Sequence, residues 1–147
     1  MADRIDFHFN VADVPLYVSR VVRKALAQKM TVGILGDDAR LLEAVDRRLW
    51  MFDATGFYPH VRATDALAAR TPVVYGTELA LMTGRKLLVA LAREPVADTE
   101  LLKTGFERVF DIVADDPGSK AEARQRFVFY RQAGFETPAH DTAGEKA

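Results

Sequence analysis

Residues 4–9 alternate polar and apolar, with Ile5, Phe7 and Phe9 on one side, and predict a strand that buries one face. The period then changes. Val14, Val18, Val21, Val22 and Ala25 recur at helical spacing as far as about Lys29. Asp13 supplies a capping carboxylate for that helix, and Pro15 fits its first turn, where a missing N–H is harmless. Residues 31–35 form a short apolar run ending at Gly36, which predicts a buried strand. Asp37 or Asp38 then caps a second helix whose Leu41, Leu42, Val45 and Leu49 share one face. Residues 50–60 read as a connection, unusually aromatic because it holds Phe52, Phe57 and Tyr58 beside Pro59.

Strand patterns return at residues 73–75, opened by Pro72, and at 87–91, after the turn Gly84-Arg85-Lys86. Residues 98–105 predict a short helix and 108–113 another apolar strand. Asp115-Asp116-Pro117 is a cap followed by a first-turn proline, opening a closing helix that runs to Ala133 and is stopped by Gly134. Strands alternating with helices imply a three-layer α/β/α single domain over residues 1–135, with a mostly parallel or mixed sheet, Rossmann-like. Residues 136–147 are polar and expected to form a loose tail.

Composition narrows the function. Of 147 residues, 49% are hydrophobic and 28% charged, which suits a folded domain rather than a disordered chain. The absence of cysteine excludes disulfides, thiolate chemistry and cysteine-ligated zinc. No basic-then-apolar signal opens the chain, and no apolar run nears the roughly eighteen residues of a membrane helix, so a cytoplasmic location is expected. A net charge of −1 argues against electrostatic binding of a long duplex. Between residues 117 and 135, however, Lys120, Arg124, Arg126 and Arg131 face only Glu122, a basic patch suited to a small acidic partner.

Gly33-Ile34-Leu35-Gly36-Asp37-Asp38 spans a strand-to-helix junction, where a dinucleotide fold would bind phosphate. Gly33 falls within the strand and no third glycine follows, so the fingerprint is incomplete. A small nucleotide- or phosphate-binding α/β enzyme using this turn is the alternative reading. An acidic pair preceded by a strand and a helix does not fit a phospho-acceptor domain. His8, His60 and His140 share no i, i+4 spacing, and no nucleophile–base pair stands out; no catalytic residue, cofactor or metal is expected.

The closing helix carries the most information. At roughly 100° per residue, Lys120, Arg124, Phe127 and Arg131 fall within an arc of about 60°. Arg126 points elsewhere, and Phe129 lies opposite, where a core face is expected. The stripe is either a solvated face with arginine stems over Phe127, or a docking groove for a peptide with carboxylates and an apolar end.

The sequence Ala123-Arg124-Gln125-Arg126-Phe127-Val128-Phe129-Tyr130-Arg131-Gln132-Ala133-Gly134-Phe135, preceded by Phe110-Asp111-Ile112-Val113, resembles the C-terminal signature of the chi subunit family of bacterial DNA polymerase III. Leu49-Trp50 and Phe57-Tyr58-Pro59-His60 match a second block. The resemblance implies a non-catalytic replication adaptor with two binding surfaces. One receives the acidic, phenylalanine-ending tail of single-stranded DNA-binding protein, with Lys120 and Arg124 (and Arg131 on the same stripe) facing its carboxylates and Phe127 and Val113 walling an apolar pocket. Phe127 stands where relatives have tyrosine, and Val128 where some have lysine, implying a less ionic and more apolar grip. The other surface, at Trp50, Phe57 and Pro59, binds the psi subunit of the clamp loader or, competitively, an accessory helicase. Trp50 could equally cap the core at its helix end.

Overall fold

The alternation read in the sequence sorts the strand residues into two cores. Val32, Ile34, Val73, Tyr75, Leu87, Val89 and Ile112 are buried on one face, and Val74, Leu88, Val109, Val113, Ile5 and Phe7 on the other. A sheet apolar on both faces has to be covered on both, and it is. The computed structural model describes residues 1–51 and 59–143.

The strands are β1 (Ile5–Val11), β2 (Val32–Leu35), β3 (His60–Arg62), β4 (Val73–Gly76), β5 (Leu87–Ala90), β6 (Arg108–Ala114) and β7 (Ala139–Asp141). The helices are α1 (Val14–Ala27), α2 (Ala39–Met51), α3 (Thr99–Thr104) and α4 (Pro117–Gln132). Two short 3-10 helices, Ala68–Arg70 and Leu79–Met82, complete the described elements. All pairings are parallel, in the order β3-β4-β2-β5-β6-β1-β7. The chain moves one way along the sheet with α1 and α2, then turns and moves the other way with α3 and α4. Right-handed crossovers therefore put the two pairs on opposite faces. Val18, Val22, Leu42, Val45 and Leu49 cover one core, and Leu102, Ala123 and Tyr130 the other. The result is the expected three-layer, Rossmann-like α/β/α architecture with a wholly parallel sheet.

Local chemistry sets the helix ends. The carboxylate of Asp13 accepts from Leu16 N at 3.1 Å, that of Asp38 from Arg40 N at 2.9 Å, and that of Asp116 from Ser119 N at 2.8 Å. Gly134, at φ 98°, lets the chain leave α4 so that Phe135 N reaches Tyr130 O at 3.1 Å.

Three expectations are corrected. Residues 136–143 are tied to the sheet rather than loose: β7 pairs with residues 7–9 of β1, and Thr142 donates from N and Oγ1 to Phe9 O, both at 3.0 Å. Neighbouring backbone holds that strand together with two side-chain contacts, Asn10 Nδ2 donating to Asp141 Oδ1 at 2.9 Å and His140 Nε2 lying 3.1 Å from Asp6 Oδ1. The connection after Trp50 is shorter than read, since α2 continues to Met51 and β3 begins at His60. Phe129 is exposed, and α4 buries Ala123, Arg126 and Tyr130 instead. A paired arginine on the inner face disguises that face as polar.

Candidate functional site

Beyond β6 the chain turns at Asp115 and Asp116 into α4, which lies across β1 and leaves a groove along the sheet edge. Phe7, Phe9, Val113 and Ala139 supply the strand side, and Ala123, Phe127 and Val128 the helix side. Lys120 and Arg124 line the same groove, a cavity of about 570 Å³. The structure therefore brings together four of the expected residues: Val113, Lys120, Arg124 and Phe127. Val113 is buried, Phe127 half-buried and Arg124 exposed. Among the described residues Arg124 has no hydrogen-bond or ion-pair partner. Lys120 Nζ, by contrast, lies 3.1 Å from Asp115 Oδ1.

Phe127 is held in place from two sides. Its ring meets Phe7 edge-on at 5.6 Å between centroids, and the Arg131 guanidinium sits 5.6 Å from its centroid on the other side. Arg131 does not line the groove, so it reaches the site only through Phe127. Phe7, Phe9 and Ala139 were not read as site residues. The alternation of β1 marks the two phenylalanines as sharing a face, but only the pairing of β1 beside β6 aims that face at α4. Nothing local in sequence marks Ala139.

Behind the groove, Arg126 donates from Nε to Asp111 Oδ2 at 2.9 Å, from Nη2 to Asp111 Oδ1 at 2.8 Å, and from Nη1 to Arg93 O at 3.0 Å. Burial pushes the Asp111 carboxyl up, and the bidentate guanidinium draws it back; the same carboxylate raises the arginine. Tyr130, driven up to about 12 by burial, accepts from Val96 N at 2.8 Å. These contacts fix α4 to the sheet, so the groove is preformed.

At the far edge Trp50 is 55% exposed and Met51 65%, so the tryptophan does not cap the core. Its ring lies 4.7 Å from that of buried His60, whose Nε2 is 3.1 Å from Asp46 Oδ1. Tyr75 also bonds to Asp46, and its hydroxyl is raised by burial first and that carboxylate second. Pro59 is half-buried beside His60, while Phe57 lies outside the described residues.

The crevice beyond β2, β5 and β6, where a nucleotide would bind, is small and internally satisfied. Asp37 accepts from Arg93 N at 2.9 Å, Asp38 caps α2, and the remaining cavity is about 170 Å³, below the usual ligand range of roughly 300–1,000 Å³. A Cβ on Gly33 would meet Met82 at 3.0 Å, and one on Gly36 would meet Leu42 at 3.0 Å. Both glycines admit neighbouring side chains. Among the described residues no group of three or more acidic, histidine or cysteine side chains is placed to hold a metal ion, and no helix is long and apolar enough to cross a membrane.

The family model for the DNA polymerase III chi subunit, HolC, matches residues 2–138. The chain belongs to the DNA polymerase III chi subunit family. It is 31% identical to the DNA polymerase III subunit chi of Pseudomonas aeruginosa over 141 residues, covering 93% of this chain and 95% of that protein. It is 28% identical to the Escherichia coli K12 subunit chi over 122 residues, covering 80% and 81%. The family match takes in β1, β6 and α4 of the groove and the Trp50 edge, stopping just before β7, and makes the chain a DNA polymerase III subunit.

Proposed function

We propose that this chi-family chain is a non-catalytic adaptor whose α4–β1 groove holds the acidic, phenylalanine-ending tail of single-stranded DNA-binding protein. One observation carries the reading: an apolar cavity walled by Phe7, Phe9, Val113 and Phe127 opens beside two cations, Lys120 and Arg124. A benzyl side chain finds aromatic partners there, and its own terminal carboxylate finds Arg124, which grips carboxylates through paired N–H donors. The psi subunit of the clamp loader docks at the opposite edge, where exposed Trp50 and Met51 provide an apolar anchor of the residue type that dominates interface energies. An accessory helicase competes for that surface. The groove and Trp50 lie at opposite ends of the strand order, so both partners can bind at once.

The test is fluorescence anisotropy with a labelled acidic peptide ending in Phe and bearing a free carboxylate. Binding in the micromolar range that weakens with salt is expected, and Arg124→Ala should lose about 1–3 kcal/mol. Salt-independent binding, or none at low salt, rejects the adaptor role.

A further inference from the structure

Lys120 stands between the groove and a ring of the chain's own carboxylates. Its ammonium is 3.1 Å from Asp115 Oδ1, with the two side chains 37% and 52% exposed. The Asp115 backbone is fixed by its N–H, which donates to Val11 O at 2.9 Å. Asp115 does not line the apolar groove; it lines the neighbouring cavity with Asn10 and Thr142. Asp116 and Asp141 are also within electrostatic reach. The Asp116 carboxyl lies below the usual range chiefly through hydrogen bonds from Ser119, and that of Asp141 chiefly through one from Asn10; the Lys120 charge adds to both. Arg124, one turn further along α4, faces no comparable competition among the described residues.

We propose that Asp115 is an internal competitor for Lys120 and so sets how tightly the groove holds an acidic peptide, an inference that rests on the peptide-binding reading above. An incoming carboxylate engages Arg124 without displacing another anion. To use Lys120, it must share an ammonium already paired, and Asp115 draws that ammonium toward the side away from the groove. Arg124 is therefore the primary anchor and Lys120 a discounted one. The effect is specific to carboxylate-bearing ligands, since the apolar pocket itself does not touch Asp115. A bond weakened in this way releases its ligand faster.

The experiment measures binding of the same acidic, Phe-ending peptide to four full-length proteins: wild type, Asp115→Asn, Lys120→Ala and the double variant. Asp115→Asn should tighten binding about two- to five-fold at low salt, the scale of an exposed ion pair. The gain should vanish in the Lys120→Ala background, and also near 1 M salt, where screening acts within about 3 Å. Weaker binding in Asp115→Asn would show that Asp115 positions Lys120 for the ligand, unchanged binding that the ion pair does not compete, and an equal gain without Lys120 a bulk charge effect; each overturns the proposal. Wild-type binding with no effect of Asp115→Asn removes this inference alone, whereas no wild-type binding removes the groove reading and this inference with it.

Discussion

Arg126 and Asp111 face each other through two parallel hydrogen bonds of 2.9 and 2.8 Å, with both residues buried. Arg124, two positions earlier on the same helix, is exposed in the groove. Neighbouring arginines on α4 thus divide the work, one anchoring the helix and one available to a ligand. Removing one partner of a buried pair leaves the other charged and unsolvated, so Arg126→Ala should cost about 3–5 kcal/mol in urea unfolding. The unpaired Asp111 would then hold its proton more tightly folded than unfolded. Stability gained from that proton is present at low pH and lost as pH rises, so the variant should lose more at pH 8 than at pH 5. An equal deficit at both would contradict the assignment.

Histidine 8 carries the second pH dependence. Burial chiefly, then His140, lowers its ring to about 4, with Asp6 opposing and Arg108 adding to the shift. A lowered folded value means the unfolded chain takes the proton first. Stability is therefore complete above about pH 6.5 and falls as pH drops toward 4. His8→Phe should remove that pH dependence, so that on acidification the wild type loses of order 2 kcal/mol relative to the variant after allowance for partial exposure, and an equal change in both would contradict it. Urea midpoints at pH 7 and pH 4.5 measure it.

Trp50 is exposed enough that Trp50→Ala should change stability by less than about 1 kcal/mol while costing at least about 2 kcal/mol of psi binding. Calorimetry with purified psi reads the second number. A large drop in melting temperature would instead assign Trp50 to the core.

Gly33→Ala should destabilise by about 1–3 kcal/mol, because the added methyl meets Met82 at 3.0 Å. Nucleotides and nicotinamide cofactors should leave the wild-type melting temperature unchanged in a thermal-shift screen. A nucleotide-dependent rise would revive a phosphate site at the Gly36 turn.

Much of the fold was legible because periodicity and capping are local. The strands at 5–11, 32–35, 73–76, 87–90 and 108–114, and all four helices, are apparent from alternation, helical spacing and the capping aspartates. The missed strands, His60–Arg62 and Ala139–Asp141, are three residues each, too short for a period to develop; the first is held by β4 at the sheet edge, the second by β1 at the far end of the sequence. The cationic stripe of Lys120, Arg124 and Phe127 was readable from helical geometry alone. The strand side of the groove was not, since Phe7 meets Phe127 only when the crossovers bring β1 between β6 and β7. The inner face of α4 was misread because Arg126 is polar by type and buried by pairing, a fact that requires Asp111 opposite it.

The location of the bound peptide is the sharpest question, and amide chemical-shift mapping answers it. Titrating the isotopically labelled protein with the acidic, Phe-ending peptide should shift resonances of Phe7, Phe9, Val113, Lys120, Arg124 and Phe127 together, and leave those of Asp37, Arg93 and Trp50 in place. Shifts centred on the Asp37–Arg93 crevice or on Trp50, with the α4 groove silent, would contradict the account.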